Sequence, residues 1–191
     1  MILLVTGGSG SGKSAYAESR CMELKTREIE SDLKWTFPCN CESAEQLRKM
    51  FYVATMEPFG EEGERRIARH RKLRAGKGFE TLECYTHLEE ADIPAGAVVL
   101  LECLSNLAAN EMYSETGRKD EVVGAVMEGI HRLAGKAEHL VIVTNNVFSD
   151  GISYDDSTKE YQRGLARVNA QTAGIADEVV EVVAGIPIRL K

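Results

Sequence analysis

The chain has 191 residues, 43% of them hydrophobic and 28% charged, with a formal net charge of −7. That length and balance describe one soluble globular domain able to bury a core, and the negative charge argues against nucleic acid as the main partner. No apolar run approaches the roughly 18 residues of a membrane span, no basic segment precedes the first apolar stretch, and five irregularly spaced cysteines read as reduced thiols in a cytoplasmic protein.

In chain order, Ile2 to Thr6 reads as a buried strand, and Ser14 to about Leu24 as a helix with Ala17, Cys21 and Leu24 on one face. The polar stretch 25–50 carries Pro38 and has weak periodicity, so it reads as an insertion in a single domain spanning residues 1–191. Phe51–Thr55, Val98–Leu101, Leu140–Thr144 and Glu178–Val183 are further apolar strand runs, and Ile186–Leu190 is a last strand turned back at Ala184–Gly185. Helical patterns occupy Glu61–Leu73, Leu104–Tyr113, Asp120–Ala134 and Lys159–Ile175. Strands that are apolar throughout and alternate with helices predict an α/β fold, a mostly parallel sheet with helices on both faces.

The first loop carries the chemistry. Gly7, Gly12, Lys13 and Ser14 satisfy G-x-x-x-x-G-K-[ST] between a strand and a helix, the context that a phosphate-binding P-loop needs. The backbone from Gly7 through Gly8, Ser9, Gly10, Ser11 and Gly12 would turn its N–H groups toward phosphate oxygens, next to the positive end of the helix. Lys13 would reach the β- and γ-phosphates of ATP or GTP, and the Ser14 hydroxyl would ligate Mg²⁺. A carboxylate ending a buried strand is costly without a cation or hydrogen bonds. Glu102, directly after Val98–Leu101, is therefore the second metal candidate, against the plainer role of capping the next helix.

The segment EEGERRIARHRKLR is helical in pattern and almost wholly charged, with His70 among Arg65, Arg66, Arg69, Arg71 and Arg74. Clustered cations disfavour a further positive charge on the imidazole, which leaves it nucleophilic. The arginines themselves suit a triphosphate. A solvated helix face explains the same residues without chemistry, and spacing leaves the two readings level. Cys39-x-Cys41 with Cys21 and Cys84 lacks further zinc-ligand spacing, His87, His131 and His139 read as surface residues, and Trp35 as an anchor for the insertion.

Seven stretches together carry a resemblance: LLVTGGSGSGKSAYAE, FYVATM, RRIARHRKLR, FETLE, VVLLECLSNLAAN, VIVTNNV and RVNAQTAGIADEVVEVVAGIPIRLK. The chain resembles the bifunctional adenosylcobinamide kinase / adenosylcobinamide-phosphate guanylyltransferase family of cobalamin biosynthesis. The resemblance implies a RecA-like P-loop NTPase sheet with a C-terminal hairpin strand, a homotrimer, and two reactions. The first phosphorylates the aminopropanol hydroxyl of a corrinoid, cobinamide. The second transfers GMP from GTP to that phosphate through a histidine-bound GMP. On the family's R-I-x-x-H motif the histidine matches His70, and the FETLE stretch adds Glu83 to the nucleotide-binding residues. The chain departs from the family pattern at Gly10, where an arginine is common, at Asn146 in place of an acid, and at Tyr161, Gln162 and Arg163 in place of F-R-D. A simple P-loop kinase with no covalent step, and a nucleotide-binding module that has lost catalysis, are the rival readings.

Overall fold

In the computed structural model, which describes residues 1–33, 49–148 and 151–191, seven strands form one sheet in the order β3-β2-β4-β5-β1-β6-β7. The strands are β1 (Ile2–Thr6), β2 (Met50–Ala54), β3 (Phe79–Glu83), β4 (Val98–Glu102), β5 (His139–Val143), β6 (Glu178–Val183) and β7 (Ile186–Arg189). All neighbours are parallel except β6 and β7. The P-loop NTPase-like α/β expectation is met in this layout. The strand that ends in Glu102 is separated from β1 by β5.

Alternate residues of the central strands feed two separate cores, as the period of two requires. Leu3, Val5, Leu100 and Val141 face α1 (Lys13–Leu33), whose Ala17, Cys21 and Leu24 pack on them. Leu4, Val99, Leu101 and Ile142 face the other layer. There lie α3 (Leu104–Tyr113), α4 (Val122–Lys136) and α5 (Asp156–Ile175). Helix α4 buries Val122, Ala125, Val126, Gly129, Ile130 and Leu133, the stripe of an amphipathic helix. The helical segment expected at Glu61–Leu73 is matched by α2 (Gly60–Arg74), at the rim beyond the C-terminal ends of β2 and β3.

Some expected boundaries move. Helix α1 runs on to Leu33, into the stretch read as an insertion, while residues 34–48, with Trp35, Cys39 and Cys41, lie outside the described residues. Helix α5 starts at Asp156 rather than Lys159. The Asp155 carboxylate accepts hydrogen bonds from Thr158 N and Oγ1, both at 2.9 Å, and so caps the helix earlier. Strand β3 was not expected as a strand: it is an edge strand whose residues are half-buried or exposed, so its apolar signal is thin.

Two of the three histidines read as surface residues, His87 and His139, depart from that reading, while His131 meets it. His87 is half-buried, with Nε2 at 2.8 Å from Thr116 O and Nδ1 at 3.3 Å from Glu89 Oε1; His139 is half-buried in β5, and His131 is exposed. Cys21 belongs to the core beneath α1. Among the described residues the one cluster with metal-ligand chemistry is His87, Glu89 and Glu90, with no cysteine in it. No described helix is long and apolar enough to cross a membrane.

Candidate active site

The glycine loop is seated on the hairpin between β6 and β7. Ala184 and Gly185 both have positive φ (49° and 80°), as a two-residue hairpin turn that follows strand twist requires. Gly185 N donates to Ser11 O at 2.8 Å. Gly12 has φ +92°, and a Cβ there would lie 3.3 Å from Gly185 Cα; at Gly7 a Cβ would lie 2.6 Å from Val182 O. The loop follows its path because two glycines let it approach this backbone.

Beyond the loop opens a cleft of about 520 Å³, within the roughly 300–1,000 Å³ of small-ligand sites. Residues 9–15 form one wall; Arg69, His70, Arg71 and Arg74 of α2 form another, with Tyr52, Thr81, Glu83, Tyr85, Glu102, Asn106 and Asn145 between them. Gly7 and Gly8 belong to the turn behind that wall rather than to its lining. The expected catalytic and nucleotide-binding residues thus converge from parts of the chain far apart in sequence.

Lys13, although in a glycine loop, is 7% exposed. Its Nζ donates to Gly8 O at 2.9 Å, and burial lowers its pKa, against the opposing pull of Cys103 and Glu102. Glu102 is buried too, and does not cap α3: the cap residue is Cys103, with no side-chain hydrogen bond. Instead Ser14 Oγ donates to Glu102 Oε1, and Tyr52 OH donates to Oε2 at 3.0 Å. Burial, reinforced by Glu102, raises the Tyr52 pKa and keeps the phenol a donor. A hydroxyl and a carboxylate held together at a phosphate-binding loop are the hard oxygen donors Mg²⁺ takes alongside phosphate oxygens, so the residues fit that ion.

His70 sits on α2 with Nδ1 3.8 Å from Glu102 Oε1, so it faces a carboxylate as well as the arginines visible in sequence. The helix divides its charges. Arg65 pairs with Glu61 at 2.8 Å on the outer face, as the solvated reading expects. Arg71 pairs with Glu83, whose other oxygen accepts from Tyr85 OH at 2.9 Å. Arg74 lies with its guanidinium 3.4 Å from the centre of the Tyr52 ring. Lys77, just past the helix, pairs with the buried Glu18 of α1.

Two of the departures from the family pattern, Asn146 and Gln162, meet at the loop after β5. Asn146 N donates to Gly7 O at 3.0 Å, and Gln162 Nε2 donates to Val147 O at 3.0 Å. Gly10 has φ +71° with open space where a side chain would stand. Sequence spacing did not single out Tyr52, Tyr85 or Asn145. The one signal for Tyr52 was its place in the FYVATM stretch. Asn145 donates to Ser105 Oγ at 2.6 Å, and Asn110 donates to Thr55 O at 2.8 Å and Tyr85 O at 2.9 Å, tying α3 to the ends of β2 and β3.

A family model described as "Cobinamide kinase / cobinamide phosphate guanyltransferase" matches residues 40–190. Two curated relatives, both named "Bifunctional adenosylcobalamin biosynthesis protein CobU", come from Escherichia coli (strain K12) and Salmonella typhimurium (strain LT2). Each is 29% identical, in alignments of 205 and 206 residues that cover the whole of both chains. The glycine loop precedes the stretch matched by the family model and falls within both full-length alignments.

Proposed function

Because this chain belongs to the cobinamide kinase / cobinamide phosphate guanyltransferase family, we propose that one cleft serves both reactions. In the first, the loop and Lys13 hold the β- and γ-phosphates of ATP or GTP while the aminopropanol hydroxyl of the corrinoid attacks the γ-phosphorus. The new P–O bond forms as the β–γ bridging bond breaks, the nucleoside diphosphate leaves, and the hydroxyl proton passes to solvent. In the second, a ring nitrogen of His70 attacks the α-phosphorus of GTP, a P–N bond forms, and pyrophosphate departs. The cobinamide phosphate then attacks the same phosphorus, breaks the P–N bond and restores the imidazole. Nδ1 is the nitrogen on the Glu102 side, which leaves Nε2 to attack.

One observation carries this reading: His70 and the P-loop share a cleft, joined through Glu102, which takes Ser14 on the same oxygen that lies 3.8 Å from His70. Ser14 and Glu102 would hold Mg²⁺, which when bound screens phosphate charge. Glu83, between Arg71 and Tyr85, belongs to the nucleotide-binding residues on the family resemblance. One continuous sheet supports a single domain over residues 1–191, and the insertion read at 25–50 begins inside α1 and ends at the first residue of β2. The net charge of −7 supports a partner list without nucleic acid. A cytoplasmic homotrimer completes the proposal, on the family resemblance.

Incubation with GTP and Mg²⁺ followed by intact-mass measurement tests it: the chain gains one GMP and releases pyrophosphate. Kinase turnover with no adduct would make the simple-kinase reading the better one, and no turnover with any cobinamide would favour a binding module. Glu102→Gln keeps the shape and removes the charge. It is expected to lower activity and raise the Mg²⁺ requirement by about 10–100-fold, the usual cost in metal affinity of losing a group that orients or holds a metal. An unchanged Mg²⁺ titration would assign Glu102 to structure alone.

A further inference from the structure

We propose that Tyr52 is a positioning residue for both steps: its hydroxyl fixes the Glu102 carboxylate, and its ring seats the helix that carries His70. The inference rests on the two-step reading above. Tyr52 lies in β2, next to β4 in the sheet, and is 3% exposed. Its ring meets Phe79 edge-on, with centroids 6.4 Å apart, so the side chain has one packed orientation.

Both ends of this side chain contact the site. The hydroxyl donates to Glu102 Oε2 at 3.0 Å, which leaves Oε1 as the oxygen toward Ser14 and His70. The terminal torsion of a glutamate is broad and nearly two-fold. A donor on one oxygen therefore decides which way the carboxylate faces. On the ring face, the Arg74 guanidinium stands 3.4 Å from the centroid and is itself buried, a desolvated cation–π contact. Arg74 follows His70 by four residues and shares its helix face. The last turn of α2 is thereby referenced to the same ring that holds Glu102. A plain core tyrosine needs only a packed ring and any acceptor. Here the acceptor is the buried acid of the P-loop site and the ring partner is on the His70 helix.

Two variants separate the two contacts. Tyr52→Phe keeps the ring and removes the donor; Tyr52→Leu removes both. Calorimetric titration of GTP binding against Mg²⁺, kinase turnover and the rate of GMP adduct formation are the readouts. Tyr52→Phe is expected to raise the Mg²⁺ requirement and lower kinase turnover by roughly tenfold, the worth of a hydrogen bond to a charged group. Combined with Glu102→Gln it should do no further harm, because both act through one carboxylate. Tyr52→Leu should also slow adduct formation roughly tenfold at saturating Mg²⁺, and Tyr52→Phe should recover most of that loss. A wild-type Mg²⁺ response in Tyr52→Phe, or losses that add to those of Glu102→Gln, would overturn the hydroxyl role. Equal adduct rates in Tyr52→Leu and wild type would overturn the ring role. If the wild type itself forms no adduct, the guanylyl-transfer reading fails at that step, and the Mg²⁺ titration of GTP binding still decides whether the hydroxyl acts through Glu102.

Discussion

Alanine at position 13 is expected to lower phosphoryl transfer from the triphosphate by about 10²–10³-fold, the cost of removing one preorganised donor from developing charge. Phosphoryl transfer leaves the protein little covalent work, so positioning and charge supply most of the acceleration. Lys13 is held on the loop backbone, with Nζ donating to Gly8 O. Its location changes what else the substitution does. A lysine in an exposed loop could be truncated without consequence for the fold, but this one is 7% exposed and its charge is already opposed by burial. Removing a buried cation relieves that desolvation while it leaves a small void along the aliphatic stem. Lys13→Met keeps the stem and removes only the charge, so the two variants should share the loss of turnover and differ in melting temperature. Steady-state kinetics beside thermal unfolding checks this. Wild-type turnover in a folded Lys13→Met would take the P-loop out of the mechanism.

The central strands were legible because parallel strands covered on both faces must be apolar at every position, and runs such as Val98–Leu101 have no other economical explanation. The glycine loop was legible from its G-x-x-x-x-G-K-S spacing between a strand and a helix, and the structure adds that a Cβ at Gly7 or Gly12 would meet the backbone of Val182 or Gly185. Strand β3 escaped because an edge strand with three exposed residues shows no run and too short an alternation. The site was half legible. Lys13, Ser14 and Glu102 follow from local context. The partners of Glu102 do not: Tyr52 is 50 residues away and Ser14 is 88, joined only when β2, β4 and the loop come together. His70 shows the same limit. Its neighbours along the chain are arginines, and the carboxylate it faces comes from another strand.

His70→Ala is expected to abolish the GMP adduct and with it guanylyl transfer, while kinase turnover persists. The separation follows from the chemistry. A covalent step needs a nucleophile with a free lone pair, and among the described residues that line the cleft His70 is the one imidazole. The Cys103 thiol is buried and its pKa is raised by that burial, and Lys13 is a cation held on Gly8 O. Transfer of the γ-phosphoryl group to a hydroxyl needs the loop and the metal-side oxygens of Ser14 and Glu102, which the substitution leaves in place. The imidazole is partly exposed at 29% and makes one long contact, to Glu102, so the fold should be little disturbed. In the wild type the adduct should be lost in acid and survive alkali, as a phosphoramidate P–N bond does and a phosphate ester does not. Intact-mass measurement on both proteins after GTP, with and without an acid wash, reads the bond type and its position together. An adduct that persists in His70→Ala would move the covalent step to another residue, and an alkali-labile adduct in the wild type would exclude a nitrogen nucleophile altogether.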